Sequence, residues 1–260
     1  MKSSKQQQFD IVLQAGHAAR DAIASSRRII FSHCPGIDTA IGFLRQPWSV
    51  VVLVGLFFLV IAHPAHAHHP FGGQLPSNFL MGFLSGLGHP VIGIDHLFFV
   101  VAIGLLASRV GSRQGSRQVQ YSLAIPVAFV LATMVGTGIH LMALDLPLPE
   151  IVISASVLAF GFMLAMKENP KWGAIAFVAA IAGIFHGYAY GEAVVGAEMT
   201  PLIAYLAGFS IIQFAIALFS YRIGRLNLKQ LTEQASLKLR FVGFTICGAG
   251  IAFLAGTILG

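Results

Sequence analysis

Gly86-Leu87-Gly88-His89-Pro90-Val91-Ile92-Gly93-Ile94-Asp95-His96 places two histidines and a carboxylate inside an apolar run from Asn78 to Ser108. Ionisable side chains in hydrocarbon are costly and mark functional positions. His89 and His96 are seven residues apart, two helical turns, so on a continuous helix they would share a face. Pro90 argues against continuity, because it removes a backbone donor and its ring crowds the preceding turn. Gly86, Gly88 and Gly93 loosen the same stretch. As one helix the run of about 31 residues would measure ~46 Å, against a hydrocarbon core of roughly 30 Å. The stretch therefore reads as a short segment to Gly88, a break at His89-Pro90, and a spanning helix from about Val91 to Ser108. Broken helices lined with polar groups are how transporters build sites for ions.

Composition sets the wider frame. The 260 residues are 56% hydrophobic and 10% charged, with a mean hydropathy of +0.79. These values predict an all-α polytopic membrane bundle, not a soluble domain. A net charge of +6 in a soluble chain would suggest nucleic acid. Here the cations sit in linkers between apolar runs, so topology accounts for them, and the expected surroundings are a lipid bilayer with no nucleic-acid partner. Cys34 and Cys247 lie far apart and form no metal or redox motif.

Residues 1–47 form a basic cytoplasmic tail or an extended leader n-region, carrying Lys2, Lys5, Arg20, Arg27, Arg28 and Arg45. Ile11 to Phe31 also fits a basic amphipathic helix on a membrane surface. Residues 48–67 are a signal-like apolar segment ending in Ala65-His66-Ala67, an A-x-A cleavage pattern. Cleavage after Ala67 is the preferred reading; retention as an additional N-terminal helix is the other. Residues 68–77 form a His-rich outer segment, in which His68 and His69 follow His63 and His66. Neutral imidazole is a borderline ligand suited to nickel, cobalt, zinc and copper.

The transmembrane domain, residues 78–260, contains six apolar segments, about 90–108, 121–143, 151–166, 172–190, 201–221 and 240–259. Arg109, Arg113 and Arg117 occupy the first linker, Lys167 and Lys171 the third, and Arg222, Arg225 and Lys229 the fifth. The second and fourth linkers have no Lys or Arg. The positive-inside rule then predicts a multi-pass inner (plasma) membrane protein with the His-rich segment outside.

A second ionisable cluster, Gly183-Ile184-Phe185-His186-Gly187-Tyr188-Ala189-Tyr190-Gly191-Glu192, mirrors the first. In each, a Gly lies three residues before a His and an acid six after it: His89 with Asp95, His186 with Glu192. Such mirroring suggests a three-plus-three inverted repeat. His89, Asp95, His96, His186 and Glu192 all fall in the outer half or at the outer rim. His140, Asp145 and Glu150 fall there too, as an additional polar site. The bland alternative for each is a polar group hydrogen-bonded between helices. Together they offer nitrogen and oxygen without thiolate, a donor set suited to Ni²⁺, Co²⁺ or Zn²⁺ over Cu⁺. Small-residue runs such as Gly136-Thr137-Gly138 read as close helix packing, and the phenylalanines as lipid-facing or packing residues.

His89-Pro90-x-x-Gly93-x-Asp95-His96 followed by Ala102-Ile103-Gly104, and Phe185-His186-Gly187-Tyr188-Ala189, resemble the HupE/UreJ family of hydrogenase- and urease-associated membrane proteins. The likeness covers residues 48–260. It implies nickel or cobalt uptake by secondary permeation, with the motif residues as metal ligands. The chain departs from the pattern at Val100, where the family often has Met, and at Tyr190, where it often has a second His.

The resulting expectation is a non-enzymatic permease with no prosthetic group and with Ni²⁺ or Co²⁺ as cargo. His89, Asp95 and His96 form its main site, His186 and Glu192 complete it, and His68 and His69 capture the ion outside. The chain contains no Walker A motif for nucleotide binding. Two alternatives stand beside this reading. One is an intramembrane metal-dependent hydrolase, with Ser85 four residues before His89 and histidines holding zinc. The other is a metal-binding accessory protein for metallocentre assembly that does not transport.

Overall fold

A computed structural model describes residues 74–112, 117–168, 170–228 and 233–259. The basic tail, the leader with its cleavage site, and His68 and His69 lie outside the described residues. Among the described residues seven helices follow one another: α1 Phe79–Ile92, α2 Ile94–Gly111, α3 Arg117–Leu141, α4 Pro149–Ala165, α5 Trp172–Glu192, α6 Met199–Leu228 and α7 Glu233–Leu259. There is no strand among the described residues. Stretches in α2, α3, α5, α6 and α7 are each long and apolar enough to cross a membrane, whereas α1 and α4 are shorter apolar helices. The chain is thus a multi-pass helical membrane protein.

Local chemistry sets the helix ends. The side chain of Asn78 accepts from the Met81 amide at 2.9 Å and caps α1. Pro149 occupies the first turn of α4, where its missing N–H costs nothing. Arg109 donates to the carbonyls of Leu164, Met166 and Lys167, and Arg240 Nε to that of Ala165, so two guanidinium groups satisfy the end of α4. Arg225 does the same for the Gly111 carbonyl at the end of α2. These arginines share one end of the bundle, here called the basic end. The opposite end carries His140, Asp145, Glu150 and Glu192.

The break expected at His89-Pro90 lies elsewhere. Helix α1 runs through Pro90 to Ile92, and the chain leaves helical geometry at Gly93, with φ −69° and ψ 97°. Pro90 stands in the last turn of α1, where it forfeits only its bond to Gly86. Packing holds the helix through that loss: Gly82 and Gly86 lie so close to α6 that a Cβ on either would collide with the carbonyl of Pro201 or Tyr205. The Gly93 amide still bonds the His89 carbonyl at 3.0 Å, and the Gly93 carbonyl accepts from Leu97 at 2.9 Å to begin α2.

Both halves of this broken element pack along α6 in the same direction. Gly82 meets Pro201 and Gly86 meets Tyr205 on α1, then Gly104 meets Ala217 and Ser108 meets Gly224 on α2. The other extensive pairings are α3 with α5 and α4 with α7. Counting α1–α2 as one crossing, exchange of the first three crossings with the last three maps these three pairings onto themselves. His96 sits in the first turn of α2, and His186 near the last turns of α5. They meet because α2 and α5 run in opposite directions.

Phe99, Phe129 and Phe160 lie buried in the core between these crossings, while Phe162, Phe177 and Phe219 face outward. Phenylalanine therefore serves both roles expected of it.

Candidate functional site

The kink at Gly93 turns His89, from the end of α1, and His96, from the start of α2, toward one another. Their ring centroids are 5.7 Å apart. Glycine is needed here for space: a Cβ on Gly93 would stand 2.5 Å from His96 Cδ2. Asp95 is half-buried in the first turn of α2, and its Oδ1 accepts from the His96 amide at 2.8 Å. A carboxylate at a helix start is favoured by the helix dipole.

His186 enters from α5. Its Nδ1 lies 2.7 Å from His96 Nδ1, so one of the two nitrogens donates to the other. The three imidazoles are all buried, with 5%, 5% and 0% exposure for His89, His96 and His186. Phe99 stacks on His186 with centroids 4.4 Å apart. Ser156 of α4 places its Oγ 3.0 Å from His186 Nε2. Tyr205 of α6 places its hydroxyl 2.8 Å from His89 Nδ1 and 2.9 Å from the Tyr190 carbonyl. Tyr190 presents its ring edge-on to both His89 and His96, with centroids 4.9 and 4.7 Å away. The Tyr190 hydroxyl is buried, with no hydrogen-bond partner among the described residues.

Buried imidazoles contributed by two crossings and ringed by hydroxyls are the geometry on which the sequence motifs converge. The chain matches the family described as HupE / UreJ protein over residues 52–253. It belongs to the HupE/UreJ family. Protein HupE of Rhizobium leguminosarum bv. viciae is 29% identical over 198 residues, which cover 76% of this chain and 94% of that protein. No solved structure matches the chain.

The remaining HupE/UreJ candidates are distributed more widely. His140, in the last turn of α3, packs edge-on against Tyr188 at 4.3 Å, with its Nδ1 enclosed and unbonded among the described residues. The Tyr188 hydroxyl reaches Asp145 Oδ1 at 3.4 Å. Asp145, Glu150 and Glu192 are exposed. The structure thus brings His96 onto His186, with His89 and Asp95 beside His96, and forms a smaller cluster of His140, Tyr188 and Asp145. Glu192 stays at the rim. Among the described residues, no three His, Cys, Asp or Glu side chains converge to metal-holding range.

The sequence did not point to Ser156 or Tyr205 as part of this HupE/UreJ site, and it marked Tyr190 only as a position where the family often has a second His. Each is a single polar group on an apolar helix, and neither Ser156 nor Tyr205 lies within a histidine motif. Their common signal is a hydroxyl inside hydrocarbon, which needs a partner. Fully buried Gln213 shows the same signal: its Nε2 donates to the Phe209 carbonyl at 3.1 Å, and its Oε1 has no partner among the described residues.

Proposed function

We propose that this HupE/UreJ protein is a secondary permease that takes up a divalent transition metal, nickel or cobalt, across the inner membrane. The observation that carries the reading is the junction of α1 and α2. There two buried imidazoles, His89 and His96, lie on either side of a helix break, His96 bonds a third imidazole from α5, and the Asp95 carboxylate accepts from the His96 amide. Imidazole nitrogen suits nickel and cobalt. A carboxylate offsets the charge of a dication where the dielectric is low. A break placed inside a crossing leaves backbone and side-chain polar groups pointing into the bundle, as in ion-carrying transporters.

In this reading the basic end faces the cytoplasm and the histidine end faces out. His68 and His69 gather the ion, and His140 with Asp145 lies near the entrance. His89, Asp95 and His96 take the ion from water, with His186 behind His96. Glu192 acts at the rim. The protein carries the ion and performs no covalent chemistry on it.

The test is initial uptake of radioactive nickel and cobalt by cells expressing the protein, against cells expressing His96→Ala and cells with none. Uptake above both controls supports the permease. Metal binding by the purified protein without cellular accumulation supports the accessory role instead.

A further inference from the structure

We infer that Tyr205 and Ser156 are positioning residues that fix the proton on each buried imidazole, leaving Nε2 of both His89 and His96 as the metal-binding nitrogen and making His186 the acceptor that orients His96. The metal-binding half of this statement rests on the function proposed above. The proton assignment rests on the hydrogen bonds at Nδ1 of His89 and of His96 and at both ring nitrogens of His186.

Tyr205 has one hydroxyl proton and two polar neighbours, the Tyr190 carbonyl at 2.9 Å and His89 Nδ1 at 2.8 Å. A carbonyl only accepts. In a continued helix the Tyr190 carbonyl would take the Val194 amide, but that amide bonds Gly191 instead. The carbonyl is one of the orphans at the end of α5, and buried orphans find donors. Tyr205 therefore donates to Tyr190. Its oxygen can then only accept from His89, so Nδ1 of His89 carries the proton and Nε2 carries the lone pair.

The same counting runs through Ser156. Its Oγ lies 2.6 Å from the Ile153 carbonyl, one turn back on α4, and the hydroxyl proton goes there. His186 Nε2, at 3.0 Å from the same oxygen, must donate to it. A neutral ring protonated on Nε2 has a bare Nδ1. At 2.7 Å that Nδ1 accepts from His96 Nδ1, which must bear the proton. His96 is left with its lone pair on Nε2. The order from donor to acceptor is His96, His186, Ser156 and the Ile153 carbonyl.

Metal-binding imidazoles characteristically donate their second N–H to a fixed acceptor, which sets the tautomer and strengthens the ligand. Tyr205 serves His89 in this way, and His186 with Ser156 serves His96. The arrangement also gives α4 and α6, which carry no histidine, a defined part in the site.

The experiment is solid-state NMR of protein labelled with [¹⁵N]histidine in liposomes, metal-free, with each ring assigned by single His→Gln replacements. The expected protonated nitrogens are Nδ1 of His89, Nδ1 of His96 and Nε2 of His186. Tyr205→Phe should mix the tautomers of His89 alone. Ser156→Ala should mix those of His186 and His96, and Ser156→Thr, which keeps the hydroxyl, should restore them. A merely structural role for these residues would leave the tautomers unmoved. Cobalt affinity, read from its absorption spectrum, should fall roughly 10–100-fold in Tyr205→Phe and Ser156→Ala. A wild-type spectrum with Nε2–H at His89 or His96 overturns the assignment, whether or not any variant inserts. Tautomers as assigned, but cobalt affinity unchanged in His96→Ala, overturn the metal reading while the proton assignment stands.

Discussion

Gly93 and His96 are sterically interlocked: the imidazole of His96 occupies the space that a side chain at position 93 would need, 2.5 Å from the ideal Cβ position. The backbone at Gly93 is one that any residue adopts, with φ −69°. Space, not conformational freedom, demands glycine. Gly93→Ala should therefore leave the helix break in place and push the His96 ring off its bond to His186. Metal affinity should drop about 10–100-fold, the range for a displaced orienting contact. The check is cobalt binding together with thermal stability in detergent. Unchanged affinity would mean the ring has room to move.

Close approach of α3 and α5 yields a paired prediction. A Cβ on Gly187 would collide with the Thr133 carbonyl, whereas one on Gly138 would meet nothing within 4 Å. Thr137 further ties the pair by donating to the Gly187 carbonyl at 2.8 Å. Gly187→Ala should cost about 1–3 kcal/mol through overpacking. Gly138→Ala should be neutral or stabilise by up to ~1 kcal/mol, because alanine is the better helix former. Melting temperatures in one detergent decide it; equal shifts would place the tight contact elsewhere.

How far the sequence could be read depends on the kind of interaction. The apolar segments were legible because a backbone in hydrocarbon has few alternatives to a helix. The pairing of His96 with His186, with His89 and Asp95 beside His96, was legible because ionisable groups stand out against such segments. The position of the break was not. Pro90 is the stronger local breaker, yet close packing of Gly82 and Gly86 on α6 carries α1 past it, and that packing is tertiary. Ser156 and Tyr205 were missed for a related reason: one hydroxyl in a helix announces a need for a partner without naming it. The exposure of Glu192, six residues beyond His186, likewise depends on where α5 ends.

Arg109 is the third test. It is buried and donates to three carbonyls at 2.8, 3.0 and 3.2 Å near the end of α4. Charged hydrogen bonds of this kind contribute roughly 1.5–3 kcal/mol each, and an acceptor left bare adds its desolvation cost. Arg109→Ala should lower the amount of folded protein in the membrane. Arg109→Lys should recover only part of it, since one ammonium lacks the guanidinium fork. Full recovery by lysine would show that charge at the basic end matters more than capping.

The last prediction separates the inner site from the outer histidines. An ion at the α1–α2 junction loses most of its water, so a missing ligand there leaves a deficit that solvent cannot readily fill. An ion that His68 and His69 held in water, as the proposed function has it, would keep water in its shell, and loss of one imidazole would matter less. Asp95→Asn is the more informative change at the inner site. Asparagine keeps the oxygen that accepts from the His96 amide, now at 2.8 Å, so the start of α2 should survive. What disappears is the negative charge that balances a dication in a low-dielectric setting. Asp95→Asn and His96→Ala should each nearly abolish nickel or cobalt uptake at every metal concentration, while the protein still inserts. Replacing His68 and His69 together should impair uptake mainly when metal is scarce, and excess metal should rescue it. Initial uptake at limiting and saturating metal, normalised to membrane protein, reads all three. Near-normal uptake by both Asp95→Asn and His96→Ala would reduce the junction to a packing feature and move the metal path elsewhere in the bundle.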